Sequence, residues 1–83
     1  VDLISEGRYD EAISALDRNM EEDASNSLWW YLRGKVYWRM QKHTDAISDY
    51  EEAVHLDAHS PAVHALEMAR DVMNFYNPDL LNP

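Results

Sequence analysis

No cysteine occurs in the 83 residues. Disulfides, thiol catalysis and thiolate-bound zinc are excluded, and the redox compartment stays open. Glycine appears twice and proline three times. Two glycines cannot build a phosphate-cradling loop. Val, Ile and Thr are sparse, while Ala, Leu, Glu, Asp and Met are plentiful, a balance that favours helix. Positive charge is scarce as well: seven Lys and Arg stand against sixteen Asp and Glu, a formal charge of −9. Nucleic acid is therefore not expected as a partner, because phosphate neutralisation dominates that affinity. The longest apolar run covers only residues 28–32, far short of the ~20 needed to span a bilayer. No membrane association is expected, no cleavable signal is visible, and the expected compartment is the cytoplasm.

What is present suits a single soluble domain. Hydrophobic residues make up 46% of the chain and charged residues 28%. A chain of this size buries only roughly 60–70% of its extended surface, so its margin of stability is thin.

The chain resembles itself at an offset of 34 residues: Ala12 falls on Ala46, Ile13 on Ile47, Ser14 on Ser48, Leu16 on Tyr50, Leu32 on Leu66 and Trp38 on Val72. A period of this size implies stacked helical units that cannot bury their apolar faces alone. The local pattern predicts five helices. Residues 1–6 read as the end of a first, stopped by Gly7. The second covers residues 9–22, with Ala12, Ile13, Leu16 and Met20 on one face. Residues 23–26 are a loop and cap. The third covers 27–41. The fourth covers 44–56, with Ile47, Tyr50, Ala53 and Val54 inward. Ser60-Pro61 starts the fifth with a capping hydroxyl and a proline at the first helical position; it runs to residue 76. Residues 77–83 are a tail. Short loops imply antiparallel neighbours.

Trp30, Gly34 and Tyr37, followed by Ala46, Tyr50 and Ala53, resemble the tetratricopeptide repeat. Gly7-Arg8-Tyr9-Asp10-Glu11-Ala12-Ile13 resembles the turn and second helix of a preceding repeat. The resemblance implies an all-α, antiparallel helix-hairpin, right-handed solenoid. Residues 1–76 would form the domain: 1–26 most of one repeat, 27–60 a complete one, 61–76 a capping helix. The tail "NFYNPDLLNP" resembles the end of small stand-alone bacterial proteins of this family. The sequence also departs from the pattern. Arg33 takes the slot of the usual Leu, Ala58 that of a common Pro, and Gln41 that of the turn glycine. Met68 replaces the small residue equivalent to Gly34, which implies that no close-packed second helix follows.

The stretch "WWYLRGKVYW" at residues 29–38 holds all three tryptophans. Apolar residues surround this predicted helix almost completely, so it is expected to be enclosed on more than one side. Gly34 costs up to ~1 kcal/mol of helix propensity relative to Ala. Its expected use is close approach of the helix bearing Ala46 and Tyr50. The same region is basic. No Asp or Glu lies between Asn26 and Thr44, whereas Arg33, Lys35, Arg39 and Lys42 all do.

On a helix, Leu28, Tyr31, Lys35, Trp38, Arg39 and Lys42 share one stripe. By the family resemblance, this stripe and the fifth helix would line a concave, peptide-binding surface. The candidate partner-binding residues are Tyr31, Lys35, Trp38, Arg39, Lys42, Ala65, Ala69, Val72 and Met73. An acidic or C-terminal peptide is the expected ligand; the other reading is that Lys and Arg merely snorkel over half-buried aromatics. The small face of Ala62, Ala65, Ala69 and Val72 has three readings. It could take a partner helix, be covered by Leu80 and Leu81 of the tail, or form a homodimer.

His55, His59 and His64 lack a completing carboxylate and a shared face, so no metal site is expected. Ser14, Ser48 and Ser60 have no evident base, and Glu51-Glu52 and Glu21-Glu22-Asp23 read as solvated helix faces. No enzyme and no cofactor are expected. The function expected is a protein-interaction scaffold binding a partner segment, the alternative a structural protein that homodimerises through its apolar cap.

Overall fold

In the computed structural model, which describes residues 8–76, four helices follow one another: α1 (Tyr9–Glu22), α2 (Ser27–Arg39), α3 (His43–Leu56) and α4 (Ala62–Tyr76). There is no strand among the described residues. The helix expected over residues 1–6 and the tail 77–83 lie outside the described residues.

Several helix boundaries have a local cause. Asp10 and Glu11 sit in the first turn of α1, where the helix dipole favours acids. The Asn26 side chain caps α2, its Oδ1 accepting from the Leu28 N–H at 3.0 Å. The Trp30 indole N–H donates to the Ala24 carbonyl at 2.9 Å and ties the preceding loop to the helix. The Ser60 hydroxyl accepts from the Ala62 N–H at 3.0 Å, the capping role expected of it.

The end of α2 corrects the expected boundary of residue 41. The helix stops at Arg39 because the chain turns back on itself. The Lys42 N–H donates to the Tyr37 carbonyl at 2.9 Å and the Gln41 N–H to the Trp38 carbonyl at 3.1 Å. This crossed pair is the Schellman arrangement, with Gln41 in the left-handed region at φ 66°.

Two apolar clusters hold the helices together. Ala12, Leu16 and Val36 form one, flanked by Tyr9, Ile13, Trp29, Leu32 and Met40. Ala46, Tyr50, Ala53, Ala62, Leu66 and Ala69 form the other, flanked by aromatics that include Trp30, Tyr31, Tyr37 and Trp38. α2 contributes to both, which explains its all-round apolar character. Fully burying a Leu or Val side chain contributes roughly 1.5–3 kcal/mol. Gly34 makes the second cluster possible. A Cβ there would lie 2.6 Å from Tyr50 Cε1 and 3.2 Å from the Ala46 carbonyl oxygen.

The small-residue face of α4 is divided. Ala62 and Ala69 are buried in the second cluster, while Ala65 and Val72 remain half-buried. Ala62 is thus core, because small side chains let α4 come close to α3.

A groove between α2 and α4

Tyr31, Lys35 and Trp38 lie three or four residues apart, so they form one face of α2. Ala65, Met68, Ala69 and Val72 do the same on α4. α3 packs behind both helices and supplies Tyr50. These eight residues line one groove of about 220 Å³. The Tyr31 and Tyr50 rings meet with centroids 6.1 Å apart, tilted by 38°. Tyr50 is only 4% exposed, and burial pushes its phenol up to about 12, with smaller contributions from Tyr31 and Asp49. Lys35 Nζ lies 5.5 Å from the Tyr31 ring centroid, a distance at which the ring face attracts the ammonium. The Trp38 ring also lies against the His43 ring, with centroids 4.1 Å apart.

Of the nine candidate residues, Tyr31, Lys35, Trp38, Ala65, Ala69 and Val72 are brought together here. Three are not. Arg39 is exposed on the last turn of α2. Lys42 is off the expected stripe, because the Schellman turn makes it the N-cap position of α3. Met73 follows Val72 by one position and is rotated roughly 100° from it; it is half-buried outside the lining. Tyr50 and Met68 line the groove without having been among the candidates. Met68 had a legible signal, since it stands three residues after Ala65 and four before Val72. His43 had none, because only the turn at Gln41 brings it onto Trp38.

Arg33 does not belong to the basic stripe. Its guanidinium donates to both carboxylate oxygens of Asp49, at 2.8 and 2.9 Å, and to Asp17 at 2.9 Å. It also lies over the Trp30 and Tyr37 rings, at 5.1 and 5.6 Å. The hydrogen bonds to Asp49 raise its pKa above the usual arginine value, against the opposing effect of burial. Arg33 therefore joins α1, α2 and α3 in a fixed, neutralised network. Asp49 is buried in this pairing.

His55 and His64 face Glu52 and Glu67 on their own helices, at 3.5 and 4.0 Å. No three potential metal ligands converge among the described residues. None of the described helices is long and apolar enough to cross a membrane.

Consecutive helical hairpins with an apolar groove on one face define a helical-repeat protein. The family described as tetratricopeptide repeat matches residues 27–60, the stretch containing α2, α3 and the Ser60 cap. The chain belongs to the tetratricopeptide repeat family, whose repeats mediate protein–protein interaction. The solution NMR structure of Bacteroides fragilis protein BF1650 superposes with a TM-score of 0.88 at 32% identity, over 96% of this chain and 82% of that one. The general transcriptional corepressor trfA of Dictyostelium discoideum is 38% identical over 50 residues, covering 60% of this chain and 4% of that protein. The general transcriptional corepressor ssn6 of Schizosaccharomyces pombe is 36% identical over 52 residues, covering 63% of this chain and 5% of that protein. The chain therefore spans about a twentieth of the length of these curated relatives.

Proposed function

We propose that the chain is a binding module that takes a segment of a partner protein into the groove between α2 and α4. Residues 1–76 would act as one unit around the repeat at 27–60. The observation that carries this reading is the joint lining of one apolar groove by Tyr31, Lys35 and Trp38 of α2 and Ala65, Ala69 and Val72 of α4. The groove volume of about 220 Å³ lies below the roughly 300–1,000 Å³ of small-molecule sites. It suits side chains projecting from a polypeptide. The corepressors match over 50 and 52 residues, and what a likeness of that length lends this chain is the interaction role of the repeat.

The reading is tested by placing a photoreactive phenylalanine analogue at position 68, or at exposed position 14 on α1, in the full chain. Partner adducts are expected from position 68 and not from 14, and Ala65→Phe, which fills the groove, should abolish them. Adducts from 14 alone, or adducts indifferent to Ala65→Phe, overturn it.

A second reading, homodimerisation through α4, draws on Met68 and Phe75, which are 65% and 76% exposed. Sedimentation that is monomeric at every concentration removes it.

A further inference from the structure

We infer that the segment taken by the α2–α4 groove is acidic as well as apolar, and that it offers side-chain carboxylates to Lys35 instead of a chain-terminal one. The inference rests on the groove reading above. It follows from which charges on this face are already satisfied.

Lys35 is the one charged residue in the groove lining. Arg8, Arg33 and Arg70 are each held by a carboxylate, of Glu11, of Asp17 with Asp49, and of Glu51 respectively. Among the described residues no ion pair forms at Lys35, Arg39 or Lys42, and none of residues 27–43 is Asp or Glu. Arg39 follows Lys35 by one helical turn, about 6 Å along the axis. Lys42 lies just beyond it at the start of α3. Lys35 is therefore a cation without an ion pair among the described residues, set in an otherwise apolar lining on a chain of net charge −9.

The overall charge would draw basic ligands from a distance, but contact decides otherwise. At physiological salt the Debye length is about 8 Å, so the acids elsewhere on the chain weigh less at the groove than Lys35 does. A basic segment seated here would meet Lys35 directly, with no acid in the groove lining to offset it. An acidic one gains the pairing.

The position of Lys35 also selects which carboxylate is read. Its ammonium is held over the Tyr31 ring, and it has no second cation beside it in the lining. Apart from Lys35, the groove is aromatic and aliphatic side chains. A chain-terminal carboxylate inserted with its last side chain would be desolvated without convergent donors. A carboxylate on a residue flanking the inserted apolar side chain stays near Lys35 and water.

The test is a selection with two libraries of random short peptides, one displayed inside a carrier loop and one at a free carrier C-terminus, against the full chain. The loop library should yield binders in which Asp or Glu neighbours a bulky apolar residue. Lys35→Glu should weaken the selected acidic peptides roughly tenfold and, used as bait, should remove the acidic enrichment. Yield from the C-terminal library alone, neutral or basic selected sequences, or affinity indifferent to Lys35→Glu each overturns the inference and leaves the groove reading standing. Failure of both libraries, or binders that tolerate both Ala65→Phe and Met68→Asp, overturns the groove reading with it. Met68 is 65% exposed, so its substitution tests the groove without disturbing the core.

Discussion

The Tyr50 ring occupies the space that a side chain at Gly34 would need: a Cβ at position 34 would stand 2.6 Å from Cε1 and 2.7 Å from Cδ1. Real carbon atoms do not approach so closely, and the ring is packed between helices with little room to withdraw. Alanine recovers up to ~1 kcal/mol of helix propensity, while overpacking a core costs typically ~1–3 kcal/mol. Gly34→Ala is therefore expected to destabilise by about 1 kcal/mol although it is the better helix former, and Gly34→Leu by several times that. For a domain of this size about 1 kcal/mol lowers Tm by roughly 4–8 °C. A Gly34→Ala melt at or above the parent Tm would show that α2 and α3 are not in this contact.

That contact was legible in the sequence. A glycine inside a run of large apolar residues, in the middle of a predicted helix, has few other uses. The fold was legible for the same reason, since the 34-residue period and the Ser60-Pro61 start are local signals. The site was legible only in part. Tyr31, Lys35 and Trp38 follow from helical spacing on α2, and Ala65, Ala69 and Val72 from spacing on α4. Lys42 was misplaced because spacing assumes the helix continues, whereas a left-handed residue at Gln41 ended it. The ion pairs of Arg33 were not legible, because its partners, Asp17 and Asp49, lie sixteen residues away on either side. Pairing across helices depends on packing angles that no periodicity encodes.

Gln41 sits where the family's turn uses glycine, and it adopts φ 66° to close the end of α2. The left-handed region costs a residue with a Cβ roughly 1–2 kcal/mol, partly offset by the greater unfolded-state freedom of glycine. Gln41→Gly is expected to stabilise the chain by about 0.5–1 kcal/mol, read as a higher urea midpoint with an unchanged slope. Gln41→Val, β-branched at the same angle, should do the opposite. Equal midpoints for the two variants would mean that the turn is not held in this conformation.

The Arg33 network makes its two ends unequal to a double replacement. Asp49 is 5% exposed and takes both of its guanidinium bonds from Arg33. Removing the arginine leaves that carboxylate buried without its cation, and such losses run to about 3–5 kcal/mol for fully buried pairs. The Arg33 side chain is 21% exposed, so Arg33→Ala is expected to cost about 2–3 kcal/mol. Arg33→Lys should recover little of this, because an ammonium cannot reproduce the two parallel bonds. Arg33→Met combined with Asp49→Leu should lie closer to the parent than either single change does. A double-mutant cycle with no coupling between positions 33 and 49 would contradict the network.

Tyr50 links the core to alkaline pH. Burial pushes its phenol up to about 12, against about 10 for the unfolded chain. The folded state thus holds the proton more tightly than the unfolded state does. The associated stability is fully present below pH ~10, falls as the pH rises further, and is gone once it passes about 12. Burial also raises the Tyr37 phenol, the opposing effect of Arg33 notwithstanding, so a smaller loss of the same sign accompanies it. Tyr50→Phe keeps the ring against Gly34 and removes the titrating hydroxyl. Urea unfolding at a series of alkaline pH values should therefore give a shallower decline for Tyr50→Phe than for the parent, with the two curves parallel at neutral pH. Slopes that coincide through the whole alkaline range would mean that the Tyr50 hydroxyl reaches water, and with it the floor of the groove.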